Sequence, residues 1–213
     1  MSDQLFRQFL YTLPFLLLSL VAHELAHGWV AWKLGDPTAK SQGRLSLNPL
    51  RQLDMWGSAM LFLTFLGSNG TFFFGWAKPV PIGPWHFKDP QRGMMLVGAA
   101  GPAANLLLAG LAALAAWLLY PSASEAVLNA VNLTFALNVI LAVFNLIPIP
   151  PLDGSRVLGG LRPAGAYKQW VELDRYGNYV MIGLLVLIVA VPGLFDGTIG
   201  AVLDAAYGLM PWG

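Results

Sequence analysis

The chain of 213 residues has no cysteine and few charged side chains. Without cysteine it can form neither a disulfide nor a thiolate metal site. Only 11% of its residues are charged and 56% are hydrophobic, whereas soluble domains carry about 25% charge. This balance predicts that the lipid bilayer is the main solvent, and the net charge of +1 gives no reason to expect a nucleic-acid partner. Any bound metal would need His, Asp or Glu ligands, and only three His are present.

Several apolar segments approach the length of about 20 residues that a bilayer span needs. The run at 55–70 is short for an upright crossing and predicts a re-entrant or strongly tilted helix, and 195–212 predicts an interfacial segment. The expected fold is an all-α integral membrane protein, a single domain over residues 1–213, with four or more transmembrane helices. The predicted spans are residues 5–34, 94–120, 127–146 and 176–191.

Two loops also predict short membrane-associated strands. Residues 40–48 and 71–82 contain alternating or aromatic runs bounded by Gly and Pro, a pattern typical of strands. Such strand edges could pair with an extended segment of a bound protein. The competing interpretation, which we favour slightly, is an aromatic belt at the membrane interface that includes Phe73, Trp76 and Trp85.

The basic residues predict the orientation in the membrane, because Lys and Arg concentrate on the cytoplasmic side. If the first helix runs from outside to inside, every basic residue except Arg7 falls on one face. Residues 33–54, 78–92 and 156–175 would then be cytoplasmic, with 121–124 on the opposite side.

The strongest chemical signal is the sequence H-E-L-A-H at residues 23–27. A spacing of four places His23 and His27 on one helix face, where both imidazoles can bind one zinc ion. Glu24 lies beside them and can accept a proton from water. A chance grouping on a polar helix is the competing interpretation, but ionisable residues within a membrane span are costly and are normally functional.

A catalytic zinc usually has three protein ligands and one open position. Asp153 is the best candidate for the third ligand, because it follows a proline-rich break directly after a predicted span. Such irregular backbone is tolerated at membrane depth only where it is buried in protein or lines a wet cavity. Asp153 could instead cap a helix N-terminus. His86 is the rival ligand, but its surroundings indicate an interfacial loop.

Two asparagines within predicted spans are further candidates. Asn105 follows small residues that allow helices to approach closely, and an interhelical hydrogen bond is the favoured role for its amide. Asn145 lies eight residues before Asp153. Its amide could stabilise the oxyanion of a tetrahedral intermediate or could bond the broken helix backbone, and the sequence does not separate these two roles.

Three motifs in this order resemble the site-2 proteases, a family of intramembrane zinc metalloproteases. They are H-E-L-A-H at 23–27, G-P-x-x-N at 101–105 and N-x-x-P-x-x-x-L-D-G at 145–154. Shorter likenesses at 34–40, 43–49 and 75–81 extend the resemblance over most of residues 20–160. The chain looks like a minimal catalytic core, with neither the PDZ module nor the CBS domain of larger members.

The resemblance implies that His23, His27 and Asp153 bind one Zn²⁺ and that Glu24 is the general base. It implies hydrolysis of a transmembrane protein or peptide that an upstream protease has already trimmed. A bacterial inner membrane is the expected location, with the active site nearer the cytoplasm.

Two other functions would use the same residues differently. A membrane zinc transporter would not need Glu24 between the histidines and should show repeated spans, which this sequence lacks. A catalytically silent membrane-protein binder would not need a complete set of ligands and base. Three histidines are also too few for a di-iron membrane oxygenase.

Overall fold

A computed structural model describes residues 3–68, 70, 74–163, 172, 175–190 and 194–212. Its secondary structure in these ranges is helical. Single-turn 3₁₀ helices lie at Pro49–Arg51 and Pro84–His86. The α-helices are α1 (Asp3–Lys33), α2 (Thr38–Ser41), α3 (Met55–Gly67), α4 (Pro90–Leu119), α5 (Glu125–Asn145), α6 (Asp153–Gly160), α7 (Gly177–Ala190) and α8 (Leu194–Tyr207).

Three of these helices are long and apolar enough to cross a membrane: α1 with 31 residues, α4 with 30 and α5 with 21. They correspond to three of the predicted spans. The fourth predicted span, residues 176–191, contains α7, which has only 14 residues and ends at Ala190, next to the undescribed residues 191–193. The described residues therefore contain three helices able to span a membrane, and the fourth span stays a prediction.

Local sequence explains where the helices begin and end. The carboxylates of Asp54 and Asp89 accept backbone N–H groups at the first turns of α3 and α4, which satisfies donors that lack a partner within the helix. Helix α5 ends at Asn145 because the following prolines, beginning with Pro148, cannot continue the backbone bonding pattern. Helix α6 starts immediately after this break.

Helices α1, α4 and α5 pack against one another and form the centre of the molecule. At one end, Ala31 near the end of α1 packs with Val97 near the start of α4, so these two helices are antiparallel. Helix α6 lies on this end of α4, since a Cβ at Gly160 would meet the side chain of Met95. The segment after α8 closes the opposite end, where Trp117 Nε1 donates to Leu209 O at 2.7 Å.

Helix α3 is one arm of a hairpin. Leu53 forms an isolated antiparallel bridge with Ala77, and Lys78 N donates to Gln52 O at 2.7 Å, so the chain returns to the point from which it left. Between these points α3 runs beside the first half of α1, as the contact of Phe9 with Phe65 shows. The re-entrant interpretation of residues 55–70 stays a prediction.

The strands predicted at 40–48 and 71–82 are not found in the described residues; 71–73 lie outside them. Residues 38–41 instead form α2, and Gly43 has a positive φ of 65°, which interrupts an extended segment. In 74–82, side chains take the place of a neighbouring strand. Phe74 N donates to Thr64 Oγ1 and Val80 N donates to Glu24 Oε2. The prolines at 79 and 81 have no N–H to donate.

The loops that carry most of the basic residues lie together at one end of the helices. Arg44 donates to Lys78 O, Gly83 N donates to Asp36 Oδ2, and the Gln91 side chain donates to Arg162 O. The end of α1, the loop before α4 and the end of α6 therefore share one face of the molecule.

Candidate metal centre

Three predicted ligands, from two elements far apart in the sequence, meet in the interior. His23 and His27 lie one turn apart on α1, and Asp153 is the first residue of α6. The two Nε2 atoms are 3.0 Å apart, and Asp153 Oδ2 lies 3.0 Å from His23 Nε2 and 3.1 Å from His27 Nε2. All three residues are buried. The structure thus brings the predicted ligand set together.

The other ring nitrogen of each histidine already has a partner. His23 Nδ1 lies 2.6 Å from Asn105 Oδ1, and His27 Nδ1 lies 2.7 Å from the carbonyl oxygen of Val97. Because both partners are acceptors, each Nδ1 carries the proton and each Nε2 keeps a lone pair. This is the arrangement in which a neutral imidazole binds metal through Nε2.

Asp153 supplies the third lone pair. Its Oδ1 lies 3.3 Å from Arg156 Nη1, while its Oδ2 is buried and has no hydrogen-bond donor among the described residues. The helix N-cap is Leu152, so the capping role considered for Asp153 is not the one it has. Three acceptors about 3 Å apart repel one another unless a cation lies between them. The residues therefore fit Zn²⁺, whose tetrahedral ligands at about 2.0–2.1 Å are separated by similar distances.

Gly101 on α4 leaves room for these ligand atoms. A Cβ built at Gly101 would contact Nε2 of both His23 and His27. Helix α4 can therefore pass directly behind the metal position only because this residue has no side chain, which explains the glycine of the G-P-x-x-N motif. A second close approach occurs at Gly154, where a Cβ would collide with the backbone of Leu146 and Ile147.

Glu24 and Asn145 have contacts outside the ligand cluster. Glu24 Oε2 accepts a hydrogen bond of 3.2 Å from Val80 N, so the extended segment before α4 lies against the predicted base. Asn145 Nδ2 donates to Leu141 O in its own helix at 2.9 Å. The amide thus supports the end of α5, and its oxyanion role stays a prediction.

The rival ligand, His86, has a different partner. Its Nδ1 lies 3.1 Å from Asp36 Oδ1, and Asp36 is fully buried. Burial opposes ionisation of Asp36, but hydrogen bonds from Thr38 and Gly83 outweigh it and hold the pKa of Asp36 below its usual value. Asp36 thereby ties the end of α1 to the loop before α4.

Sequence reasoning missed two residues behind His23. Asn138 on α5 accepts a hydrogen bond from Asn105 and donates one to the Ser19 hydroxyl on α1, and both residues are buried. The available signal was the presence of polar side chains within apolar spans, where interhelical hydrogen bonds are expected. No sequence spacing connects residues 19, 105 and 138.

Comparisons with known proteins agree with this centre. Residues 118–189 match the model of peptidase family M50. The chain is 36% identical over 185 residues to a Bacillus subtilis (strain 168) protein named "Putative zinc metalloprotease YwhC", a match that covers 82% of this chain and 81% of that protein. It is 32% identical over 191 residues to "Putative zinc metalloprotease Rip2" of Mycobacterium tuberculosis (strain H37Rv), covering 88% and 71% respectively.

A comparison with solved structures gave no match. The relatives support a zinc metalloprotease and do not favour the transporter or the silent binder. With three helices able to span a membrane, the protein is an integral membrane protein. The chain belongs to peptidase family M50, the site-2 protease family of zinc metalloproteases.

Proposed function

We propose that this metalloprotease hydrolyses peptide bonds of membrane-spanning substrates, with Glu24 as the general base. The observation that carries the proposal is the position of the ligands. His23 and His27 lie within α1, a helix long and apolar enough to span a bilayer, and α4, another such helix, passes directly behind them at Gly101. Asp153 closes the cluster from a short helix that follows α5.

Zinc held by these residues would act as a Lewis acid, activating water and polarising the scissile carbonyl. Glu24 takes a proton from the attacking water and later delivers it to the leaving amine. The hydrogen bond from Val80 N holds one oxygen of Glu24 and limits the rotation of the carboxylate. Asn145, at the end of α5, is proposed to donate its second amide N–H to the developing oxyanion.

The substrate must unwind before hydrolysis, because a membrane helix satisfies its carbonyl groups internally. The hairpin of α3 and the return segment at 74–77 is proposed to enter the bilayer from one side and leave on the same side. Water would reach the site from the end of the molecule where the basic loops lie. We propose that this end faces the cytoplasm of a bacterial cell, and that the substrate is a membrane-tethered protein trimmed by an upstream protease.

Replacing Glu24 with Gln tests the general base. Glu24→Gln keeps the ligands, so we expect zinc content near that of wild type while cleavage falls by about 10²–10⁴-fold or more. The assay uses purified protein in nanodiscs with membrane-spanning peptides and with a soluble unfolded protein as alternative substrates. Glu125→Gln is the matched control, since Glu125 is an exposed carboxylate at the start of α5.

Near-normal cleavage by zinc-loaded Glu24→Gln would refute the proposed base. Equal cleavage of the soluble protein and the spanning peptides would refute the intramembrane substrate class. Orientation is tested separately by introducing cysteine at Lys40 and Lys88 in this cysteine-free chain. Labelling of these two positions from opposite sides of the membrane would contradict the proposed topology.

A further inference from the structure

A chain of buried hydrogen bonds leads away from His23 on the side opposite the metal position. Asn105 Nδ2 donates to Asn138 Oδ1 at 2.8 Å, and Asn138 Nδ2 donates to Ser19 Oγ, also at 2.8 Å. Asn105 and Asn138 are fully buried and Ser19 is 1% exposed. Three helices, α1, α4 and α5, therefore contribute one polar side chain each to this buried network.

Backbone carbonyls fix the direction of every bond in this network. Asn138 Nδ2 also donates to Thr134 O at 2.8 Å, and Ser19 Oγ donates to Phe15 O at 2.8 Å. A carbonyl oxygen can only accept, so the NH₂ group of Asn138 must face Thr134 and Ser19. Asn138 Oδ1 then faces Asn105 and accepts a hydrogen bond from its NH₂ group. Asn105 Oδ1 is therefore the atom that faces His23.

The last bond decides where the proton of His23 lies. An oxygen 2.6 Å from Nδ1 favours the proton on Nδ1. In a neutral imidazole Nε2 then keeps its lone pair for a metal held together with Asp153 Oδ2, which lies 3.0 Å away. If Asn105 turned its amide by 180°, its NH₂ group would face Nδ1 and would favour the tautomer protonated on Nε2. That tautomer cannot bind a metal through Nε2.

We infer that Asn138 and Ser19 are positioning residues that lock the Asn105 amide and thereby the metal-binding tautomer of His23. The inference rests on the proposed metal role of His23 but not on the substrate or on Glu24. Asn105 cannot fix the orientation of its own amide without these neighbours. The only other hydrogen bond that the Asn105 amide donates among the described residues is longer, 3.4 Å to Ser19 O. Asn138 therefore contributes most to holding the Asn105 amide in its orientation.

The test replaces Asn138 with Leu, which keeps similar volume and removes both hydrogen-bonding groups. Thr134→Val is the matched control on the same helix, because among the described residues the Thr134 hydroxyl donates only to Ala130 O, at 2.8 Å. The first measurement is ¹⁵N NMR of histidine-labelled, zinc-free protein that also carries Asp153→Ala, at alkaline pH. This background removes the carboxylate that lies 3.0 Å from His23 Nε2 and would otherwise attract the proton to Nε2. With three histidines in the chain, single His→Gln variants assign the signals.

In the Asp153→Ala background, the protein without further changes and the Thr134→Val variant should show His23 as the Nδ1-protonated tautomer. Asn138→Leu in the same background should show a mixture of both tautomers. The second measurement is zinc affinity by competition with a chelator. Loss of a group that orients a ligand typically weakens metal binding about 10–100-fold, and that range is expected for Asn138→Leu. Thr134→Val should bind zinc as wild type does.

Ser19→Ala provides a milder variant if Asn138→Leu does not fold, and a smaller shift in the same direction is expected. Asn105→Leu combined with Asn138→Leu should weaken zinc binding little more than Asn105→Leu alone, because Asn138 acts through Asn105. Additive losses, or an unchanged His23 tautomer in both Asn138→Leu and Ser19→Ala, would overturn the inference. Neither measurement uses peptide cleavage, so a failure of the proposed protease mechanism would be distinguishable.

Discussion

Helices α4 and α5 contact each other through two adjoining regions of opposite chemistry. The polar region contains Asn105 and Asn138, which together with Ser19 lie behind His23. The apolar region consists of buried alanines and larger apolar side chains and extends to the segment after α8. Its buried members are Ala109, Ala112, Ala116, Phe135, Val139 and Met210.

The difference shows that neighbouring turns of the same helices have different roles, one in helix packing and one in orienting a metal ligand. Within a membrane, lipid is as apolar as the side chains, so helix association depends on close packing and on interhelical hydrogen bonds. The alanines of α4 provide close packing, whereas the asparagines orient a ligand. We therefore expect substitutions in the polar region to change metal binding, and substitutions in the apolar region to change stability alone.

The largest effect on metal binding is expected from Gly101→Ala. The added methyl group would contact Nε2 of His23 and His27, so one imidazole must move away from the metal position. Zinc affinity should fall by more than about 100-fold, beyond the range for groups that only orient a ligand. The measurement is chelator competition on the purified protein.

Gly110→Ala is the matched control on the same helix, because a Cβ at Gly110 meets nothing within 4 Å. It should leave zinc affinity unchanged and raise stability slightly, since alanine favours a helix over glycine by roughly 0.5–1 kcal/mol. Wild-type zinc affinity in Gly101→Ala would contradict the assignment of this position to the metal centre.

An intermediate effect, on stability alone, is expected from Phe135→Ala. Phe135 is 2% exposed and packs in the apolar region, with its ring 5.7 Å from that of Tyr207. Its removal leaves a cavity and should lower the free energy of unfolding by roughly 3 kcal/mol, the lower end of the usual range, because the transfer from water contributes less in lipid. Denaturation in micelles measures the loss.

Zinc affinity of folded Phe135→Ala should equal that of wild type. Val127→Ala is its control, since Val127 on the same helix is 42% exposed and should have little effect on stability. A large loss of zinc affinity in Phe135→Ala would mean that the two regions are energetically coupled, contrary to the comparison above.

The metal ligands were predictable from the sequence because helical spacing alone places His23 beside His27, and because few other ligand types were available. Asp153 was predictable from the proline break before it. Three spans followed from apolar length. The link between Ser19 and Asn138 was not predictable, since it depends on which faces of α1 and α5 meet. Among the described residues, the strand predicted at 71–82 is not found because side chains, including that of Glu24, bond the backbone at Phe74 and Val80. The strand predicted at 40–48 is interrupted by the positive φ of Gly43.

The smallest effect on stability is expected from Asp36→Asn. It is specific to the end of the molecule where the loops after α1 and before α4 meet. The buried carboxylate of Asp36 accepts hydrogen bonds from Gly83 N at 2.6 Å and Thr38 N at 3.0 Å. Although burial opposes ionisation, these bonds hold its pKa below the ordinary value of about 3.9. A group with a lowered folded-state pKa stabilises the protein above its unfolded-state pKa and loses that contribution as the pH falls.

Wild type should therefore lose stability as the pH falls below about 4, and Asp36→Asn should lose less over the same interval. At neutral pH the variant should be less stable than wild type, because an amide accepts the N–H bonds of Thr38 and Gly83 more weakly than a carboxylate does. Thermal unfolding in micelles between neutral and acidic pH measures both effects. Because Phe135 packs in a cluster that contains neither a carboxylate nor an imidazole, Phe135→Ala should lower stability by a similar amount at every pH in this series. Parallel pH profiles for wild type and Asp36→Asn would show that the Asp36 contacts do not contribute the acid sensitivity assigned to this end of the molecule.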